Sequence, residues 1–431
     1  MKRTVTSFFD KEYLEYAKYV VENRAIPSCI DGLKPTQRKV VYIANKIWKT
    51  GNEKPMKLFQ LAGRVAAEAF YHHGNTSLES SMVGMAQKFK NSLPLLEGIG
   101  QFGSLRSPSA GAPRYISAKL HPNFRLLYQD FELLDNKIEE GEKIEPEHFL
   151  PIVPTVILNG TSGIAVGFAT NILNRNPKDV VDACISEVNG KRMKTLAPWI
   201  EEFKGTFTRD LENPKTWKIS GSYQIINTNT VKITAIPPNY TYERYEEILN
   251  LLQEKGIITS YDDNSSETIE YVLKFKRSIL KDLISKDRLE RALRLNTQET
   301  ENLTTIDENG ELKIFNKAEE IVKHFVSVRL GWYQTRKDYL INKTEKQLAL
   351  VTNKAKFIKD IIDGKLKINN VPKDKIIAYL KTNDYDTVHG SYDYLLSMAI
   401  HSLTKERYEK LLQEKEGCII ALKTLKATDP K

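Results

Sequence analysis

Cysteine is scarce in this chain: three in 431 residues, Cys29, Cys184 and Cys418, far apart and with no C-x-x-C pair. That argues against a disulfide scaffold and a zinc site, and it fits a reducing, cytoplasmic compartment. No run of about 18 apolar residues exists, so no membrane span is expected. The N-terminus, MKRTVTSFFDKEYLEY, has no apolar core and does not read as a secretory signal. G-x-x-x-x-G-K-[ST] is missing, which argues against a Walker-type ATP site on this chain, and H-E-x-x-H is missing too. Glycine and proline are modest at 22 and 17, with 41% hydrophobic and 28% charged residues, so the chain is globular rather than collagen-like or disordered.

The formal charge of +9 is unevenly placed. Residues 1–130 hold 19 Lys and Arg against 10 Asp and Glu; the other 301 residues hold 45 of each. All excess basicity therefore lies in the first third, where a polyanion, most simply nucleic acid, is the expected partner. The alternative there is a solvated basic surface.

Three textures follow one another. In residues 1–130 the spacing predicts helices over Asp10–Arg24, from Pro35 through Ala44, over Lys57–Tyr71 and over Ser77–Phe89. Short helices in a basic module suggest a helix-turn-helix fold completed by a β-wing, a winged helix. Residues 131–316 read as mixed α/β: an apolar run Leu150–Leu158, a strand Val231–Ile236, a helix Thr241–Gln253, a strand Thr268–Phe275, and a hairpin turning at Glu308-Asn309-Gly310-Glu311. From 317 to 363 there is no proline and one glycine, Gly331, with apolar residues at helical spacing. Such a helix would reach roughly 70 Å, too long for one small core. A second helix, about Thr404–Leu425, would return along it, giving a long antiparallel coiled-coil arm with a small helical knot at its tip. The fold class is multidomain α+β.

Few residues announce chemistry. Gly160-x-x-Gly163-x-x-x-Gly167 is not the dinucleotide fingerprint and reads as a tight turn before a buried helix. His72 and His73 are adjacent, so on a helix they would point about 100° apart and make poor joint metal ligands. Ser107-Pro-Ser-Ala-Gly-Ala-Pro-Arg114-Tyr115 stands out: a small-residue loop presents an Arg-Tyr pair inside the basic third. A phenol is a poor nucleophile until a neighbouring cation or base favours the phenolate, and a guanidinium also stabilises a pentavalent phosphate transition state. On pattern alone, a packing pair is the commoner use of such a dipeptide among 20 tyrosines.

Several segments together resemble the type IIA DNA topoisomerases. Arg24-Ala-Ile-Pro-Ser-Cys-Ile-Asp31-Gly32-Leu-Lys34-Pro35-Thr-Gln37-Arg38-Lys39 is similar to their R-[AS]-[IL]-P…DGLKP-x-[QH]-R-[KR] segment. Tyr71-His72-His73-Gly74 resembles their Y-H-H-G motif, Gly98-x-Gly100-Gln-Phe-Gly103-Ser104 their G-x-G-x-F-G segment, and Ala112-Pro-Arg114-Tyr115 their active-site Arg-Tyr. Pro151-Ile-Val-Pro154…Asn159-Gly160…Gly163-Ile164 and Tyr392-Asp-Tyr394-Leu-Leu396 resemble two further family segments. The landmarks keep family order across nearly the whole chain. Gln37 and the unbroken His72-His73 look more like the eukaryotic and T4-like phage branch than bacterial gyrase, and the chain's scope resembles the separate medium subunit of phage enzymes.

The resemblance implies roles. Tyr115 would attack DNA phosphorus and form a transient 5′-phosphotyrosyl link. Arg114 would steady the transferring phosphate, His73 would hydrogen-bond one of its oxygens, and Arg24 would sit at the scissile phosphate. Lys34, Arg38 and Lys39 would grip flanking phosphates, with Asp31 orienting them by pairing and His72 beside them on the DNA. Ile164 would be an apolar wedge between base pairs, against the alternative of core packing. The resemblance also implies domains: 1–130 for cleavage, a tower at 131–316, an arm from 317–370 and 403–431, and a dimerisation gate at 371–402. Cleavage in the family needs Mg²⁺; Asp130, Asp135, Asp179, Asp182 and Asp262-Asp263 have the wrong spacing or context for it. No metal ligands are therefore assigned here, and Mg²⁺ and ATP are expected on a large ATPase- and TOPRIM-bearing subunit, with a homodimer of this chain. Two rivals stay open: a non-enzymatic architectural DNA-binding protein, and another tyrosine-nucleophile strand transferase.

Overall fold

The structure, a computed structural model, describes residues 9–430 except 52 and 267. It forms two compact units, Met1–Arg329 and Leu330–Lys431, and the division falls within a single 45-residue helix, Ala318–Ile362. Both α-helix and antiparallel sheet are present, so the class is mixed α+β. No helix among the described residues is long and apolar enough to cross a membrane.

The first unit opens with a helix that is α-helical over Leu14–Val20 and wound into wider π turns over Phe9–Tyr13 and Val21–Ala25. It stops at Ile26, which is extended because the Pro27 ring clashes with a helical predecessor. The next helix, Pro35–Ile47, begins on the proline, whose missing N–H costs nothing in a first turn. Gln37 completes the start by accepting from the Lys34 N–H at 2.9 Å. Val40, Val41, Ile43 and Ala44 are fully buried against Leu58–Glu68 and Asn75–Ala86. Three short strands, Met56–Lys57, Leu96–Ile99 and Ser117–Leu120, pair antiparallel with Ser117–Leu120 in the middle. Arg114 and Tyr115 lie on the loop entering that central strand.

Two stretches differ from the sequence expectation. The apolar run Leu150–Leu158 is cut by Pro154 into a two-residue strand, Leu150–Pro151, and a helical turn, Thr155–Leu158. The glycines from 160 to 167 do not precede a buried helix. They shape a β-hairpin, Thr161–Ile164 against Ala169–Ile172, whose β-branched residues favour extended backbone.

Farther on, Ser222–Asn227, Thr230–Ala235, Tyr271–Lys274 and Ser260–Asp263 form an antiparallel sheet in that order. Its buried face (Val231, Ile233, Leu273) packs on Tyr245, Leu249 and Leu252 of the helix Tyr242–Glu254. A second sheet joins Thr206–Arg209, Thr216–Ser220 and Asn296–Thr300. The hairpin read around Asn309-Gly310 is there, with Leu303–Ile306 paired to Leu312–Phe315.

In the second unit, Lys405–Ala427 runs antiparallel to the long helix. Leu411 packs with Val351, Ala355 and Ile358, while Lys426 reaches Glu345 at 2.8 Å. Between the two lies a small core of Phe357, Leu366, Ile376, Leu380, Tyr385 and Leu395. Buried Asp360 accepts hydrogen bonds from Tyr385 (2.7 Å) and Tyr379 (3.1 Å).

Candidate active site

Tyr115 is 69% exposed at the end of a tight turn, its N–H donating to Ala112 O at 2.8 Å. The Arg114 guanidinium carbon lies 5.0 Å from the centre of its ring. Lys57 holds the Tyr115 carbonyl at 2.7 Å. The loop behind is pinned from inside the protein. Buried Gln87 donates to Phe102 O and Pro108 O, at 2.8 and 3.0 Å. Buried Arg106 donates to the carbonyls of Ile236 (2.6 Å), Pro237 (2.7 Å) and Tyr240 (2.9 Å). Burial pulls the Arg106 guanidinium down to about 10. A small-residue loop is thereby held against two separate parts of the unit, which fixes where the phenol stands. Sequence reading missed both anchors. Gln87 and Arg106 carry no motif of their own, and the carbonyls that Arg106 meets lie 130 or more residues away.

The Asp31-Gly32 turn is the structural hub of the basic segment. The Asp31 carboxylate is fully buried and accepts from Leu33 N (3.0 Å), Phe149 N (3.0 Å), Arg38 Nε (2.7 Å) and Arg38 Nη2 (3.0 Å). Its backbone carbonyl accepts from Thr155 (2.6 Å) and Tyr128 (2.8 Å). Gly32, at φ +68°, packs so close under Thr155 and Val156 that a Cβ would stand 2.5 Å from Val156 N. Only glycine meets both demands.

This hub corrects one expectation. Arg38 does not face outward to grip phosphate: it is 5% exposed, and its guanidinium is taken up by Asp31 and Leu33 O. Burial works against its charge and the Asp31 carboxylate outweighs burial, so the net shift is upward. Lys34 and Lys39 are likewise engaged with the protein. Lys34 donates to Ser162 O at 2.6 Å, and Lys39 meets Glu145 at 3.0 Å and Ala69 O at 2.5 Å. Alternate charges in a sequence cannot distinguish a cation facing solvent from one folded back onto an acid.

His73 is exposed, 2.6 Å from the Tyr19 hydroxyl through Nε2, and stacks edge-on with Tyr71. His72 points elsewhere, 3.8 Å from Glu139. Both histidines share a cleft of about 240 Å³ with Tyr19, Lys39 and Glu139; Tyr115 and Arg114 do not line it. Arg24 is exposed on the last turn of the opening helix. Tyr19 was not anticipated, because nothing in its own segment marks it.

Ile164 is 88% exposed, which removes the core-packing alternative. Its hairpin is seated firmly: Lys34 holds Ser162 O, and a Cβ on Gly163 would collide with the Ala25 carbonyl. The hairpin thus lies tight on the Arg24–Lys34 segment and leaves a bulky apolar side chain in water.

Residues 24–431 match the family model for the A-type chain of DNA gyrase/topoisomerase IV. The chain belongs to that family. It is 35% identical to the DNA topoisomerase medium subunit of Enterobacteria phage T4, across 96% of this chain and 92% of that protein. It is 34% identical to the mitochondrial DNA topoisomerase 2 of Dictyostelium discoideum, across 99% of this chain but 34% of that one. The chain therefore spans about a third of the length of the eukaryotic relative and nearly all of the phage one. In structure it is similar to the Plasmodium falciparum topoisomerase II DNA-binding, cleavage and re-ligation domain, at TM-score 0.87 and 33% identity, covering 98% of this chain and 62% of the other. The sequence resemblance to the type IIA family and its T4-like branch is borne out.

A D-x-D triplet, Asp384-Tyr385-Asp386, is also present, and sequence reading missed it. It lies in the second unit, where Tyr385 is buried and Asp386 accepts from Asn353 at 2.7 Å. Only its tyrosine is built into the packing there, and the two aspartates are exposed.

Proposed function

We propose that this chain is the DNA breakage and rejoining subunit of a type II topoisomerase, with Tyr115 as nucleophile. The observation that carries the reading is the exposed Tyr115 phenol beside Arg114, on a loop held by Gln87 and Arg106. A fixed loop lowers the entropy lost in reaching the reacting geometry. The phenolic oxygen attacks phosphorus, the bond to the 3′-oxygen breaks, and that oxygen leaves with a proton as a 3′-hydroxyl. A phosphotyrosyl ester now holds the 5′ end. One ester replaces another, so resealing needs no nucleotide. Arg114 and Arg24 stabilise charge gathering on the phosphate oxygens. Tyr19 occupies one ring nitrogen of His73 and leaves the other for DNA.

Residues 1–130 then act as a winged-helix cleavage module and 131–316 as the tower. Residues 317–370 and 403–431 form the arm, and 371–402 form the gate at which two copies dimerise. Ile164 enters between base pairs and kinks the duplex, which costs a few kcal/mol of unstacking. Magnesium prefers about six oxygen donors. Among the described residues, the group of three metal-capable side chains contains a thiol and an imidazole, a donor set that does not fit magnesium. The reading therefore places Mg²⁺ and ATP on a large partner subunit in the host cytoplasm.

The test is Tyr115→Phe in the assembled complex. Denaturant-trapped DNA–protein adducts should vanish while DNA affinity is nearly unchanged. Adducts that persist would mean another nucleophile. The chain alone, with Mg²⁺ and supercoiled plasmid, should bind DNA without relaxing it.

A further inference from the structure

We infer that Cys29, Glu308 and His324 form a site for one zinc-class divalent cation, bound through the Cys29 sulfur, a Glu308 carboxylate oxygen and a His324 ring nitrogen. Their ligand atoms all lie within 4.8 Å of one another. Around tetrahedral zinc such atoms stand roughly 3.3–3.8 Å apart, so side-chain shifts of about 1 Å complete the shell. The site is separate from Tyr115, and the inference does not rest on the DNA-cleavage reading.

Three elements converge here, and backbone bonds already hold two of them. Cys29 sits on the segment ahead of the Pro35–Ile47 helix, Glu308 in the turn of the Leu303–Phe315 hairpin, and His324 near the start of the Ala318–Ile362 helix. Cys29 N donates to Ile306 O at 2.8 Å, and Ile306 N to Pro27 O at 2.9 Å. A bound metal would therefore join parts that are in place without it.

The surroundings favour a cation. His324 Nε2 is 2.8 Å from Glu308 Oε2, and the Lys313 ammonium sits 3.1 Å from His324 Nδ1, so one cation is resident. Cys29 is fully buried; burial, then the Glu308 and Asp307 carboxylates, push its thiol up to about 12. Burial chiefly keeps the proton on sulfur, so a metal must displace it, and the neighbouring Glu308 and Asp307 carboxylates favour that exchange. On binding, the S–H bond breaks, its proton goes to solvent and a metal–sulfur bond forms, with no change of oxidation state. Lys313, on a flexible stem, turns to water as the ion takes over its charge. Of the three, Glu308 lines a polar groove with Ser28, Asp307 and Asn309, so solvent meets the site at this carboxylate, and water would supply the fourth ligand.

The test is Co²⁺ titration of the chelator-washed full chain, read by the thiolate-to-cobalt charge-transfer absorption, with Zn²⁺ as competitor. One equivalent should bind, and zinc should displace it. Glu308→Gln, on an exposed turn, and His324→Gln should each weaken binding at least about tenfold, in line with lost metal ligands. Lys313→Met should strengthen it, because it removes the competing cation. Cys29→Ser should abolish the band, whereas Cys184→Ser should leave it. The inference is overturned if no band appears, if the band survives in Cys29→Ser, or if the Glu308 and His324 variants bind cobalt as the parent does.

Discussion

Replacing Arg38 with alanine separates two roles that the sequence alone could not. If Arg38 gripped a phosphate, the variant would fold normally and bind DNA more weakly, with a salt slope lower by about one contact. In the structure its guanidinium instead makes two bonds to a fully buried carboxylate and a third to Leu33 O. Removal leaves Asp31 charged and buried, with only the N–H groups of Leu33 and Phe149 as donors. Breaking a buried pair from one side costs about 3–5 kcal/mol. In a unit of this size that lowers the melting temperature by roughly 5–15 °C. Urea unfolding and calorimetry on the purified chain measure it directly. The double variant Asp31→Asn/Arg38→Ala should lose less than the sum of the two singles, because no unpaired charge remains. An Arg38→Ala protein within about 0.5 kcal/mol of the parent, but with a reduced salt slope, would refute the reasoning.

Other consequences are equally open to measurement. Ile164→Ala should reduce DNA bending by fluorescence transfer and leave unfolding within about 0.5 kcal/mol, since the side chain is in water; unchanged bending would remove the wedge. Arg106→Met strips the charged donor from three carbonyls, at about 1–3 kcal/mol for each bond left unmade. It should open the loop between Gly103 and Tyr115 to proteolysis before the rest of the unit unfolds. His148 is held below its ordinary range, chiefly by burial, against the opposing pull of Asp31. The unfolded chain therefore binds more protons near this residue, and stability should fall as pH drops below about 6.5. His121 shifts the same way, so the parent minus His148→Gln difference across pH 5–7.5 isolates the His148 share.

The sequence by itself carried the family, through ordered local motifs, and much of the local structure. Pro35 had to open a helix, Asn309-Gly310 had to turn, and the stretch after Asn316 had to be one long helix, because each rests on backbone preferences or periodicity read within a few turns. It also singled out Arg114-Tyr115 and the Asp31-Gly32 turn. It could not say which way a side chain faces. Tertiary structure decided that Arg38 turns inward to Asp31, that the residue 160–167 glycines make a hairpin, and that Ile164 stands in water on it. It also brought Arg106 to Ile236 and Tyr19 to His73. The cysteine spacing argues against a zinc site on sequence distance alone, and the Cys29 cluster stands beside that reading as a proposal. Cys29 and His324 are 295 positions apart, and only folding puts sulfur, carboxylate and imidazole within 4.8 Å of one another. Local preferences are written in neighbouring residues, whereas the direction and company of a side chain depend on which distant surfaces the buried core brings together.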